Sequence, residues 1–112
     1  MRILIVDDEP VLRELFSDFF TMKGHEVETA NDGVEGLNAF RTAELPFEAV
    51  LSDYQMPRMN GVLMLQAILE LSPETRVVLA SANPPDIRKY LPETVKVLRK
   101  PFSNHELLGA FE

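Results

Sequence analysis

The chain has no cysteine, fewer basic than acidic residues, and no long hydrophobic run. Without cysteine it forms no disulfide framework and offers no thiolate to a metal. Its 11 lysines and arginines against 18 aspartates and glutamates give a formal charge of −7, which argues against direct nucleic-acid binding. No apolar stretch approaches the roughly 20 residues of a membrane span. With no signal-peptide pattern either, the sequence predicts a cytoplasmic protein without a membrane partner.

What is present indicates one globular domain. The chain has 112 residues, of which 46% are hydrophobic and 26% charged, and this size is enough for one hydrophobic core. We find no internal repeat, linker or low-complexity segment, so we expect residues 1–112 to form a single domain.

Strand-like and helix-like segments alternate along the whole chain. Strands are predicted at residues 2–6, 25–29, 47–52, 76–80 and 94–98. The first helix starts at Pro10 and stops at Gly24, and the second is capped by Asn31 or Asp32. A third helix is predicted over residues 61–71 and a short fourth in PPDIRKYL, residues 84–91. Ser103 and Glu106 form a capping-box pattern that starts a fifth helix, with Phe102 and Leu107 placed as a hydrophobic staple.

This alternation predicts an α/β fold, a single doubly wound parallel sheet with helices on both faces. Strands one, three and four are continuous apolar runs, as expected for central strands, whereas strands two and five alternate as edge strands do. The pattern fits the 2-1-3-4-5 order of flavodoxin-like sheets, here as a (βα)5 unit with shortened fourth and fifth helices.

Polar side chains follow four of the predicted strands. Asp7 and Asp8 follow the first strand, Asp53 the third, Ser81 the fourth and Lys100 the fifth. Parallel strands deliver their carboxyl ends to one edge, so these groups converge there. One ammonium does not balance three carboxylates, whereas a hard divalent cation such as Mg²⁺ would. Asp53 would then be a nucleophile toward a phosphoryl group, with Lys100 and Ser81 contacting its oxygens.

Each of these residues also has a purely structural interpretation. Asp7 and Asp8 could be helix-capping acids, which for the pair alone is the more common role. Asp53 could begin a turn, Ser81 could be a turn or cap residue, and Lys100 could be a solvated charge. Together these structural interpretations are less convincing than one shared site, because each must explain separately why a polar residue follows a strand.

The sequence resembles the response-regulator receiver domains of two-component signalling systems over nearly its whole length. The resemblance lies in ILIVDDEP (3–10), VLSDYQMPRMNG (50–61), VVLASA (77–82) and VLRKPF (97–102). It implies that Asp53 accepts a phosphoryl group from a sensor histidine kinase or phosphotransfer protein. It also implies that Mg²⁺, or alternatively Mn²⁺, binds the Asp8 and Asp53 side chains, the Gln55 backbone carbonyl and, largely through water, Asp7.

The resemblance further implies that Ser81 is the switch hydroxyl and Lys100 the phosphate-contacting lysine. Ala82, which is small, would leave the phosphoryl group accessible. The protein would therefore be a phosphorylation-controlled switch that catalyses its own phosphorylation and is not a turnover enzyme.

Three departures from the family pattern affect the expected signal output. Val97 stands where the family often has a switching Tyr or Phe, and the stretch from Ser81 to Lys100 is shorter than usual. The sequence also stops before the fifth helix would normally finish, as in a short receiver or one cut from a longer regulator. Because the usual output face is altered, the downstream partner stays undefined and a homodimer stays an open alternative.

Two other functions are compatible with the sequence. The first is a Mg²⁺-dependent phosphatase with an aspartyl nucleophile, although haloacid-dehalogenase-like enzymes carry Asp-x-Asp after their first strand, unlike Asp7-Asp8 here. The second is a binding module that kept the receiver fold without a standard switch. The complete set of acids and Lys100 favour the switch.

Overall fold

The computed structural model describes residues 1–111, which form five strands and four helices. In chain order they are β1 (Arg2–Val6), α1 (Pro10–Met22), β2 (Glu26–Ala30), α2 (Gly33–Thr42), β3 (Ala49–Asp53), α3 (Gly61–Leu71), β4 (Arg76–Ser81), β5 (Lys96–Arg99) and α4 (Asn104–Ala110).

All the strands are parallel and lie in the order β2-β1-β3-β4-β5, as predicted. The apolar runs of β1, β3 and β4 are buried in the centre of the sheet, whereas β2 and β5 are its more exposed edges. β5 packs Val97 on one core and Leu98 on the other and is exposed at its two ends, whereas most of β2 is exposed.

Each face of the sheet has its own hydrophobic core because successive side chains of a strand point to opposite faces. Ile3 and Ile5 of β1 pack with α1 and α4, through residues such as Phe20. Leu4 and Val6 pack on the other face with the buried side chains of α2 and α3. The fold is therefore doubly wound.

The predicted fourth helix is wrong. Residues 84–91 form no helix beyond a single turn, which hydrogen bonds from the Tyr90 and Leu91 amides to the Ile87 carbonyl close. Pro84 and Pro85 lack amide donors, and only six residues separate Pro85 from Pro92, so the chain has no room to extend that turn. The (βα)5 expectation is corrected to five strands and four helices among the described residues.

Several strand boundaries also differ from the prediction. The His25 amide donates to the Phe20 carbonyl at the end of α1, so β2 begins at residue 26. The Val95 amide is used in a turn to Pro92, and β5 begins only at residue 96. β3 starts two residues later than predicted and includes Asp53, and β4 includes Ser81, because both continue the ladder to neighbouring strands.

The last helix, α4, begins as predicted. Ser103 is its N-cap, and the capping box with Glu106 is formed in both directions. Phe102 and Leu107, the predicted staple, belong to the same hydrophobic core. Across residues 1–111, no helix has the length and apolar character required to traverse a bilayer.

Candidate functional site

Three carboxylates meet at the carboxyl edge of the sheet. Asp7 and Asp8 directly follow β1, and Asp53 ends β3, which pairs with β1. One oxygen from each of the three lies within 4.8 Å of the other two. Asp7 is buried, Asp53 is half-buried and Asp8 is exposed, so the cluster opens to solvent on one side. We call these residues the acidic pocket.

Lys100 supplies the positive charge of the acidic pocket. Its Nζ lies 3.2 Å from Asp53 Oδ1 and 3.6 Å from Asp7 Oδ2. The Lys100 side chain is 19% exposed, and the lysine follows β5, where its amide donates to the Ser81 carbonyl. The ammonium is therefore held against two of the three carboxylates by the end of the sheet.

Backbone amides hold the side chains of Asp7 and Asp53. Asp7 Oδ1 accepts from the Glu9 amide at 2.9 Å, and Arg13 donates to the Asp7 carbonyl. Asp53 Oδ1 accepts from the Tyr54 amide at 3.0 Å. The N-cap of α1 is Glu9, which makes no side-chain cap bond, so neither Asp7 nor Asp8 is the N-cap residue of that helix.

Burial dominates the electrostatics of the pocket. It raises the pKa of Asp7 and that of Asp53 above their ordinary value; repulsion from Asp8 and Glu9 adds to the rise in the pKa of Asp7, and repulsion from Asp7 adds to the rise in the pKa of Asp53. Lys100 acts in the opposite direction on both pKa values without overcoming burial. The three carboxylates of the pocket therefore carry more negative charge than the Lys100 ammonium neutralises.

The arrangement suits a hard cation. Carboxylate oxygens are the ligands that Mg²⁺ prefers, and Mg²⁺ uses one or two of them together with water and phosphate oxygens. Converging acids with one open side satisfy that requirement.

Comparison with known proteins agrees with the fold. Residues 3–112 match the family model for the response regulator receiver domain. The chain belongs to the response-regulator receiver family. It is thus a receiver of the two-component class, as its motifs predicted.

This receiver is similar to parts of longer proteins. It is 41% identical over 83 residues to the sensor histidine kinase RcsC of Salmonella typhimurium, covering 74% of this chain and 8% of that protein. It is 34% identical over 111 residues to a CpxR-homologous transcriptional regulatory protein of Haemophilus influenzae, covering 96% of this chain and 47% of that protein. The receiver therefore spans less than half the length of both relatives.

Among solved structures it resembles the response regulator TrrA of Thermotoga maritima, determined in complex with Mg²⁺ and beryllium fluoride. The TM-score is 0.83 at 30% identity, over 96% of this chain and 93% of that one.

The remaining predicted residues surround the pocket. Ser81 is buried at the end of β4, and its Oγ accepts from the Asn83 amide at 3.2 Å. Ala82 is exposed and lines a groove with Lys100. Gln55 is an exposed residue of the loop after β3. Val97 is half-buried in β5 and packs on the core shared with α2 and α3, and β4 lies between it and Asp53 of β3.

Sequence reasoning missed the contacts that hold the loop after β3. Arg58 forms an ion pair with Asp32, and residue 61 must be glycine because a Cβ there would lie 2.2 Å from the Asp53 carbonyl oxygen. Gly61 carried a sequence signal as part of the family motif. The Arg58–Asp32 pair had none, because its members are 26 residues apart.

Proposed function

We propose that this receiver accepts a phosphoryl group on Asp53, in a Mg²⁺-dependent reaction, from a sensor histidine kinase or phosphotransfer protein. The observation that supports this most is the acidic pocket, three converging carboxylates with Lys100 Nζ at 3.2 Å from Asp53. The protein would act as a phosphorylation-controlled switch and not as a turnover enzyme on an outside substrate.

Asp8 and Asp53 are the residues that would hold Mg²⁺ by their side chains, with Asp7 acting through water and Gln55 through its carbonyl. The donor set fits, since all these groups are oxygen ligands and the pocket has excess negative charge. Bound there, the ion would offset the charge on the transferring phosphoryl oxygens. Mn²⁺ accepts the same donors and is the alternative ion.

Asp53 is the nucleophile of the proposed transfer. Its Oδ1 accepts hydrogen bonds from Tyr54 and Lys100, whereas among residues 1–111 no donor engages Oδ2. An Asp53 oxygen would form the new P–O bond while the P–N bond to the donor histidine breaks. The electron pair of that bond returns to the imidazole, and Asp53 becomes an acyl phosphate.

Lys100 and Ser81 would stabilise the product. The Lys100 ammonium already lies beside Asp53 and would pair with a phosphoryl oxygen. The Ser81 hydroxyl oxygen accepts from the Asn83 amide, which leaves its own proton available to donate to another phosphoryl oxygen.

A groove beside Lys100 supports docking of the phosphoryl donor. It measures about 390 Å³ and is lined by Leu12, Leu15, Phe16, Ala82, Lys100, Pro101 and Phe102. Leu15 is 58% exposed, and the Phe16 and Phe102 rings stack at 5.6 Å. An apolar surface beside Lys100, which contacts the Asp53 nucleophile, is where a donor helix would bring its phosphohistidine, and Leu15→Asp should slow transfer from the donor.

The direct test is intact-protein mass after incubation with acetyl phosphate, with and without Mg²⁺. We expect one added phosphoryl group that needs Mg²⁺ and is absent in Asp53→Asn. The matched control is Asp18→Asn, an exposed aspartate of α1 that should still be phosphorylated. Phosphorylation of Asp53→Asn at the wild-type level would contradict the proposal.

A missing adduct has two explanations that beryllofluoride separates. A stable beryllofluoride complex would indicate a short-lived acyl phosphate on a working site. No complex and no Mg²⁺ binding would overturn the proposal and favour a binding module with the receiver fold. That residues 1–112 serve as one receiver, alone or within a longer regulator, stays a prediction.

A further inference from the structure

The loop between β3 and α3, residues 54–60, has an unusual backbone. Among residues 1–111, Arg58 is the one residue other than glycine with a positive φ, at 68°. This left-handed conformation is costly for a residue with a Cβ and needs support from its surroundings. Something outside the loop must therefore hold residue 58.

Asp32 provides that support. Arg58 Nε and Nη2 lie 3.0 and 2.8 Å from the same Asp32 oxygen, Oδ2. The other oxygen, Oδ1, accepts from the Glu35 amide at 2.8 Å and caps α2. The Asp32 side chain is 12% exposed, so one buried carboxylate fixes both the start of α2 and the 54–60 loop.

A second contact joins the same two segments. A Cβ on Gly33 would lie 2.2 Å from the Met59 carbonyl oxygen, so the first turn of α2 touches the loop backbone directly. The loop is thereby held against α2 at two successive residues, 58 and 59. Gln55, whose carbonyl is a proposed metal ligand, lies only three residues before Arg58.

We propose that the Arg58–Asp32 pair is a positioning device for the metal site, holding the 54–60 loop in the shape that presents the Gln55 carbonyl to Mg²⁺. Neither residue touches the ion. The inference rests on the proposed function, since it concerns the affinity of that same site.

Charge and geometry predict different results for the two partners. By charge alone, removing the Arg58 cation would raise Mg²⁺ affinity and removing the Asp32 anion would lower it. If the pair acts by holding the loop, both changes lower the affinity. A common direction in the two variants thus separates positioning from a simple field effect.

The test is a Mg²⁺ titration of the 112-residue protein followed by NMR amide shifts. Arg58→Gln removes the cation, and Asp32→Asn removes the anion but keeps an N-cap acceptor. We expect each to weaken Mg²⁺ binding about threefold to tenfold, a modest effect because the Arg58 side chain is 59% exposed. The double variant should bind Mg²⁺ no more weakly than either single variant, since all three variants lack the same Arg58–Asp32 interaction.

Two controls sharpen the test. Arg41→Gln makes the same charge change at an exposed residue near the end of α2 and should leave the affinity within twofold of wild type. Arg58→Lys keeps the charge and should recover part of the lost affinity. A merely structural role would lower the melting temperature of the metal-free variants without changing the Mg²⁺ affinity.

The outcomes separate the two proposals. If wild type shows no Mg²⁺ binding, the proposed function fails. If wild type binds Mg²⁺ and Arg58→Gln binds it equally well or better, the positioning role is overturned while the metal site stands.

Discussion

The connections that follow β3 and β4 leave the same edge of the sheet, yet only the first leads into a helix. After β3, Asn60 caps α3 with its side chain and Gly61 allows the helix to approach the Asp53 carbonyl. After β4, residues 82–95 turn without forming a helix, and Pro84, Pro85 and Pro92 prevent one.

The difference teaches that the pocket and the surface around it are built independently. The acidic pocket needs the ends of β1, β3 and β5, all of which are in place. The 82–95 segment instead covers the core with Ile87 and Leu91 while leaving Tyr90 58% exposed. We expect the chemistry to follow the family and the signal to be presented by this helix-free segment.

The largest predicted effect comes from weakening the packing of the 82–95 segment on the core. Ile87 is 3% exposed, and Ile87→Ala should lower the free energy of unfolding by about 2–4 kcal/mol through lost burial and a cavity. Mg²⁺ affinity should stay unchanged because the segment contributes no proposed ligand. Urea denaturation and a Mg²⁺ titration measure the two effects.

The matched control is Ile68→Ala in α3, which is fully buried and should cost a similar amount. If Ile87→Ala weakened Mg²⁺ binding as strongly as it weakens folding, the pocket and the segment would be one unit and the comparison would fail.

A second prediction concerns the pocket itself. Mg²⁺ should raise the melting temperature because it binds the folded site and not the unfolded chain. At a concentration 100 times Kd the stabilisation is about 2.7 kcal/mol. Differential scanning fluorimetry measures it, and Asp8→Asn should remove most of it. An unchanged melting curve at saturating Mg²⁺ would contradict the metal site.

A third prediction concerns repulsion between the carboxylates of the acidic pocket. Removing one of them should stabilise the metal-free protein, by less than Mg²⁺ stabilises the wild type. Asp53→Asn should stabilise the metal-free protein by about 1 kcal/mol at pH 7, because it removes a half-buried carboxylate from beside Asp7. Chemical denaturation of the variant and of Asp18→Asn, an exposed control, measures this. A clear loss of stability in Asp53→Asn would show that its bond to Lys100 outweighs the repulsion.

The same charges predict a pH dependence. The folded-state pKa values of Asp7 and Asp53 lie above the ordinary 3.8, so the metal-free fold binds these protons more tightly than the unfolded chain does. Their contribution to stability is therefore favourable at low pH and is lost as pH rises from 3.8 through the raised values. Asp53→Asn should flatten this part of the stability profile; an unchanged slope would exclude Asp53 as its source.

Features set by local sequence patterns could be predicted, whereas features set by contacts between residues distant in the sequence could not. Strand order and the residues of the acidic pocket were predictable because apolar runs fix the central strands and parallel strands share one carboxyl edge. The predicted short fourth helix is wrong although its prolines were visible in the sequence; Ile87 and Leu91 have the spacing of a helix face, but the segment completes only one turn. The Arg58–Asp32 pair depends on tertiary contact between β3–α3 and β2–α2 connections, which no local pattern encodes.

The smallest predicted effect tests whether one side chain shapes the helix-free segment. Arg88 donates to the carbonyls of Pro92 at 2.8 Å and Val95 at 3.2 Å, so it closes the turn that leads into β5. Arg88→Gln should cost less than about 1 kcal/mol in global stability because Arg88 is exposed, but it should speed amide hydrogen exchange at Val95. Lys89→Gln, an exposed neighbour, is the control. Equal exchange in both variants would mean that the prolines and the buried Ile87 suffice to hold the segment. Faster exchange in Arg88→Gln with unchanged Mg²⁺ affinity would mean that the segment can move while the acidic pocket keeps its shape.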